Sequence, residues 1–165
     1  MKKLFVLVFA FFFIEHIVLG QEWNFIEPKF RIFNSKSMFF INENIGYVVG
    51  YDGMIAKTTN GGTSWTNQMS GTLKNLESVF FTDINNGYIV GSQIALKTTD
   101  GGNTWINMQT NGKKVFFTNS NVGFIIGQNE VIKKTTNGGQ TWVSNQNVCW
   151  GDLKSLIFID DSIGF

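Results

Sequence analysis

Three near-identical octets at regular spacing, a strand-favouring composition and the lack of any helical apolar period predict an all-β fold, a β-propeller of four-stranded antiparallel blades. The octets are TTNGGTSW at 58–65, TTDGGNTW at 98–105 and TTNGGQTW at 135–142, and their tryptophans stand 40 and 37 residues apart. A second element precedes each: SMFFINENIGYVVG from Ser37, SVFFTDINNGYIVG from Ser78 and KVFFTNSNVGFIIG from Lys114. Aromatics make up 15% of the chain and proline occurs once, which favours strands over disorder. A repeated antiparallel unit of roughly 40 residues is the signature of a propeller blade. A single flat sheet would leave apolar faces open and long edges unprotected.

Each repeat divides into four strands. The first is the SVFF-like run at 37–41, 78–82 and 114–118, ended by a polar turn such as 83–86. The second is the GYIVG-like run at 46–50, 87–91 and 123–127, whose unbroken apolar character predicts burial on both faces. The third is expected at 54–59, 94–99 and 131–136, and the fourth at 63–68, 103–108 and 140–145. Between them lies Asn-Gly-Gly or Asp-Gly-Gly, read as a hairpin turn with positive φ at the Asx-Gly pair.

The blades fall at 37–77, 78–113 and 114–154, and SLIFIDDSIGF at 155–165 opens a partial fourth. Within 21–36, QEWNFI with Trp23 resembles a fourth strand. Trp23 stands 14 residues before Ser37, against 13 from Trp65 to Ser78. The reading is three full blades plus a partial first and last, an incomplete propeller, since closed rings take about 4–8 blades. Open blade edges of this kind are expected to promote association.

Residues 1–20 have the layout of a secretory signal peptide: Lys2 and Lys3, an apolar run at 4–14, then Val18 and Gly20 before Gln21. Glu15 and His16 interrupt the apolar run, so it falls short of a spanning helix. A secreted, periplasmic or cell-surface location is expected, with no membrane insertion after cleavage. Removing Lys2, Lys3 and Glu15 lowers the 13 basic and 12 acidic residues to 11 each. A near-neutral chain has no field to gather nucleic acid. Cys149 is the sole cysteine, which excludes an intrachain disulfide and fits a small buried apolar residue.

The octets match the Asp-box pattern through Thr58, Asn60, Gly62, Ser64 and Trp65; Thr98, Asp100, Gly102, Thr104 and Trp105; and Thr135, Asn137, Gly139, Thr141 and Trp142. With the preceding VFFTDINNGYIVG-like element, the repeat resembles the photosystem II assembly and stability factor family, and it is similar to bacterial sialidase-type repeats. The resemblance implies that the box is a structural turn between the third and fourth strands of a blade. The Asx side chain would accept backbone N–H groups, the glycines would supply unusual angles, and the tryptophan would fill a gap beside the neighbouring sheet. Repetition in every blade argues against Asn60, Asp100 and Asn137 as catalytic acids or metal ligands.

Catalytic chemistry is scarce. After the signal there is no histidine, which removes His-dependent triads and His-based zinc sites. Arg31 is the only arginine, whereas sialidases need a cluster for the substrate carboxylate. Asp160 and Asp161 are adjacent, so on a strand they would point to opposite faces. Gly101 and Gly102 belong to a hairpin, not a phosphate cradle. The expectation is a non-enzymatic scaffold binding a protein or a glycan, with no cofactor and no metal. The alternative is a fragment of a sialidase-like glycoside hydrolase whose catalytic residues lie elsewhere. Function on repeated scaffolds sits in variable loops. The face opposite the boxes, carrying Lys74 on one interblade link and Trp150, Asp152 and Lys154 on another, is therefore the candidate ligand face.

Overall fold

The computed structural model describes residues 34–127 and 131–145. The signal peptide, the strand around Trp23, the partial fourth blade, and Cys149, Trp150, Asp152 and Lys154 lie outside the described residues. Those described form three four-stranded antiparallel sheets with meander order. The first holds β1 (Ser35–Phe40), β2 (Gly46–Gly50), β3 (Ile55–Thr58) and β4 (Thr66–Gln68). The second holds β5 (Ser78–Phe81), β6 (Gly87–Gly91), β7 (Ile94–Thr98) and β8 (Ile106–Asn107). The third holds β9 (Lys114–Phe117), β10 (Gly123–Ile126), β11 (Ile132–Thr135) and β12 (Val143–Asn145).

The second strands are buried along their whole length, and the second blade packs on a neighbour through each of its faces. Strand alternation divides each blade into a forward and a backward face. Tyr47, Val49 and Ile55 of the first blade meet Val79, Phe81, Ile89 and Leu96 of the second in one apolar core. Tyr88, Val90 and Ala95 of the second meet Val115, Phe117 and Ile125 of the third in the next. The Tyr47 ring stacks on Phe81 at 4.1 Å, and Tyr88 stacks on Phe117 at 4.0 Å. The first strands also abut. Val79 N–H donates to Ser37 Oγ and Val115 N–H to Ser78 Oγ, each at 3.3 Å.

Three local expectations need correction. The fourth strands begin only after the tryptophans, at 66, 106 and 143. The preceding N–H groups bond to the Asx side chain instead of a strand. Positive φ falls on both glycines of each octet (Gly101 at 65° and Gly102 at 84°), while Asn60, Asp100 and Asn137 do not adopt it. The turn is therefore a longer Asx-stapled loop, not a two-residue Asn-Gly hairpin. Finally, β1 starts at Ser35, earlier than the motif, with a register shift before Ser37.

Candidate functional site

Each octet folds into the same hydrogen-bonded turn. In the second blade Asp100 Oδ1 accepts the Thr104 N–H at 2.9 Å and the Thr98 hydroxyl at 2.7 Å. The Thr104 hydroxyl donates to Asp100 Oδ2 at 2.6 Å. The buried Thr98 Oγ1 accepts the Gly102 N–H at 2.9 Å. Asn60 and Asn137 accept from the Ser64 and Thr141 N–H groups at 2.9 and 3.0 Å. Their Nδ2 groups donate to Ser64 Oγ and Thr141 Oγ1 at 2.9 and 2.8 Å, where a carboxylate accepts instead. Hydrogen bonds from the Thr104 side chain, its backbone and Thr98 hold the Asp100 carboxyl down at about 2.

The turn also rests on the first-to-second strand turn of its own blade. Gly61, Gly101 and Gly138 donate to the carbonyls of Asn44, Asn85 and Asn121, each at 2.9 Å. Those two turns therefore share one face. The tryptophans hold equivalent places: Trp65, Trp105 and Trp142 meet Phe40, Phe81 and Phe117 edge-on at 6.0, 6.1 and 6.0 Å. All three are only partly buried. Gly102 lies between Trp105 and Tyr47 of the preceding blade, and Gly139 between Trp142 and Tyr88. The indole is thus packed on its own blade with one edge toward the neighbour, instead of being enclosed between sheets.

Sequence reasoning missed a clamp between blades. Tyr47 Oη donates to the Gly101 carbonyl at 2.6 Å, and Lys57 Nζ donates to the same oxygen at 2.8 Å. Tyr88 Oη and Lys97 Nζ repeat this on the Gly138 carbonyl at 3.0 and 2.7 Å. Burial, aided by the Asp100 and Asp83 carboxylates respectively, pushes the Tyr47 and Tyr88 phenols up to about 12. The lysine of each repeat and the tyrosine of the first two were visible in the sequence, but their common acceptor in the following octet was not.

On the opposite face the interblade links pack on the second-to-third strand turns. Leu76 N–H donates to the Gly50 carbonyl at 2.8 Å, and Asp52 N–H to Asn75 Oδ1 at 3.3 Å. Lys74 is exposed on this link, its N–H bonded to Thr72 Oγ1 at 3.1 Å. Beside it Met69 and Leu73 are 89% and 83% exposed. Among the described residues no group of three or more His, Cys, Asp and Glu is placed to hold a metal, and no helix is long and apolar enough to cross a membrane.

Four-stranded meanders stacked face to face, each with an Asx-stapled turn between its third and fourth strands, define a repeat β-propeller module. The chain belongs to the family of the photosynthesis system II assembly factor YCF48, whose model matches residues 16–114 and 71–144. No curated protein matches it significantly. Among solved structures it is similar to YCF48 bound to D1 peptide, with 25% identity and a TM-score of 0.66 over 74% of this chain and 44% of that one. YCF48 from Cyanidioschyzon merolae gives 21% identity and a TM-score of 0.59 over 67% and 39%. The GH74 enzyme of Niastella koreensis shares the fold, with 20% identity and a TM-score of 0.53 over 63% and 20%. The chain thus spans less than half the length of either YCF48 structure.

Proposed function

We propose that the protein is a non-enzymatic scaffold that works outside the cytoplasm and recognises a segment of a partner protein. The observation that carries this reading is membership of the YCF48 family, together with the likeness to a YCF48 structure holding a peptide. Two features of this chain support it. The blades are a rigid frame whose backbone turns are satisfied internally. The link at 69–77 presents Met69 and Leu73 to solvent beside Lys74, and large apolar side chains exposed on an ordered loop favour a protein partner. Export rests on the signal-like residues 1–20, and the contribution of Trp150, Asp152 and Lys154 to the same face is part of this proposal. The GH74 likeness concerns fold alone, and the lone Arg31 does not favour a sialidase reading.

The test is in-cell crosslinking from position 73, identification of the partner, and affinity measurement with purified proteins. Met69→Ser with Leu73→Ser should weaken binding at least about tenfold, roughly 1.4 kcal/mol. Glu43→Ala on the octet face should leave it unchanged. The reverse pattern overturns the assignment of face. Export is checked by fusing residues 1–25 to a reporter that functions only outside the cytoplasm.

A further inference from the structure

A second candidate site, separate from the link that carries Met69 and Leu73, lies between the second and third blades. A cleft of about 520 Å³ runs there, lined by Gln93, Asn107, Gln109, Asn111, Gln140 and Trp142 among others. Its volume falls in the range of small-ligand sites, about 300–1,000 Å³. Its chemistry does not follow the repeat. On the backward face of the third strand, the second blade carries Leu96, 2% exposed and inside the apolar core. The register places Lys133 at the matching position of the third blade, opposite Ile125 as Leu96 is opposite Ile89.

Lys133 does not project into solvent. Its ammonium donates to Thr110 Oγ1, the Asn111 carbonyl and Asn111 Oδ1, each at 2.9 Å. Those three bonds use all three of its protons. Asn111 Nδ2 in turn donates to the Ser92 carbonyl at 3.0 Å. The lysine is therefore a strut that holds the link between the blades open where a leucine would close the core. At the rim Gln109 sits at φ 55°, a left-handed conformation that is strained for a non-glycine residue. The Asn107 carboxamide accepts its N–H at 2.8 Å and fixes it there.

What the described residues leave available to a ligand is amide and hydroxyl chemistry: both donors and acceptors, little apolar surface, no carboxylate among them, and the Lys133 ammonium already consumed. A peptide partner would need apolar side-chain pockets, and an anion would need an unengaged positive charge. From this geometry we propose that the cleft binds a neutral oligosaccharide, whose hydroxyls pair with the carboxamides while Trp142 closes the floor. Among the described residues the lining offers hydrogen-bonding groups for recognition and no carboxylate.

The full chain should be titrated calorimetrically with cellotetraose, xylotetraose, maltotetraose and chitotriose, at low and high salt. At least one should bind with millimolar or better affinity, and salt should not change it. Lys133→Leu restores the apolar template of the second blade, so it should fold with an unchanged or raised Tm and lose at least about tenfold in affinity. Gln93→Ala with Gln140→Ala tests the carboxamides without touching the core, and a similar loss is expected. The proposal is overturned if none of the four binds, if both variants bind normally, if a uronate or sialyl oligosaccharide binds better than the neutral ones, or if only peptides occupy the cleft.

Discussion

Removing the clamp donors one at a time and together is the most informative perturbation of this fold. Tyr88→Phe deletes one donor to the Gly138 carbonyl, and Lys97→Met deletes the other. The phenylalanine ring fits the template, because Phe124 already holds the equivalent position in the third blade. Each single change leaves the carbonyl with one bond, so Tyr88→Phe should cost about 1 kcal/mol and Lys97→Met about 1–2 kcal/mol. The double change leaves an acceptor in a buried residue with neither side-chain donor. Its desolvation then adds about 1–2 kcal/mol beyond the sum of the singles. Urea unfolding of the four proteins, with m-values compared for constancy, measures this coupling. Additivity within about 0.5 kcal/mol would refute the reasoning, since it would mean that water reaches the carbonyl when the donors leave.

Other outcomes follow from the same turns. Thr98→Val strips the acceptor from the Gly102 N–H and should cost about 1–3 kcal/mol by urea unfolding, more than the same change at an exposed threonine. The Asp100 carboxyl is held at about 2 against an ordinary 3.8, so its contribution is fully present above 3.8 and is lost as pH falls through 2. Asp100→Asn, which copies Asn60 and Asn137, should fold normally and flatten that acid limb in a melting-temperature profile. The Tyr47 and Tyr88 phenols are raised to about 12, so their contribution is present below 10 and is lost between 10 and 12. In the double Tyr47→Phe, Tyr88→Phe protein the alkaline limb should shift upward, and an unmoved limb would place the titrating groups elsewhere. Trp105→Ala should cost about 2–3 kcal/mol, below the 3–5 of an enclosed aromatic, because the indole is only partly buried. Trp105→Phe should cost far less than that, since it also removes a buried Nε1–H that no described protein group accepts.

What could be read from the sequence was whatever recurs within one repeat. The octets, the buried second strands and the shared face of the two polar turns each follow from local pattern, and the strand centres fell where the motifs put them. The fourth strands were placed too early because the Asx side chain, not a neighbouring strand, takes the N–H groups of Ser64, Thr104 and Thr141. The clamp escaped because its partners are 54 residues apart for Tyr47 and Gly101, and a backbone carbonyl carries no sequence signature. The cleft escaped for a related reason. Lys133 differs from Leu96 by one letter in an aligned repeat, and only the spacing of the blades shows where its ammonium goes.

The clamp also has a direction. Every described blade that gives a tyrosine and a lysine gives them to the octet that follows it, never to the one before. A described blade's two donors therefore reach this acceptor only when the next octet is folded against it. In each such pair the later octet completes the earlier blade. The same asymmetry makes the unit easy to copy, because a duplicated repeat inserted in tandem brings an acceptor for the copy upstream and donors for the copy downstream.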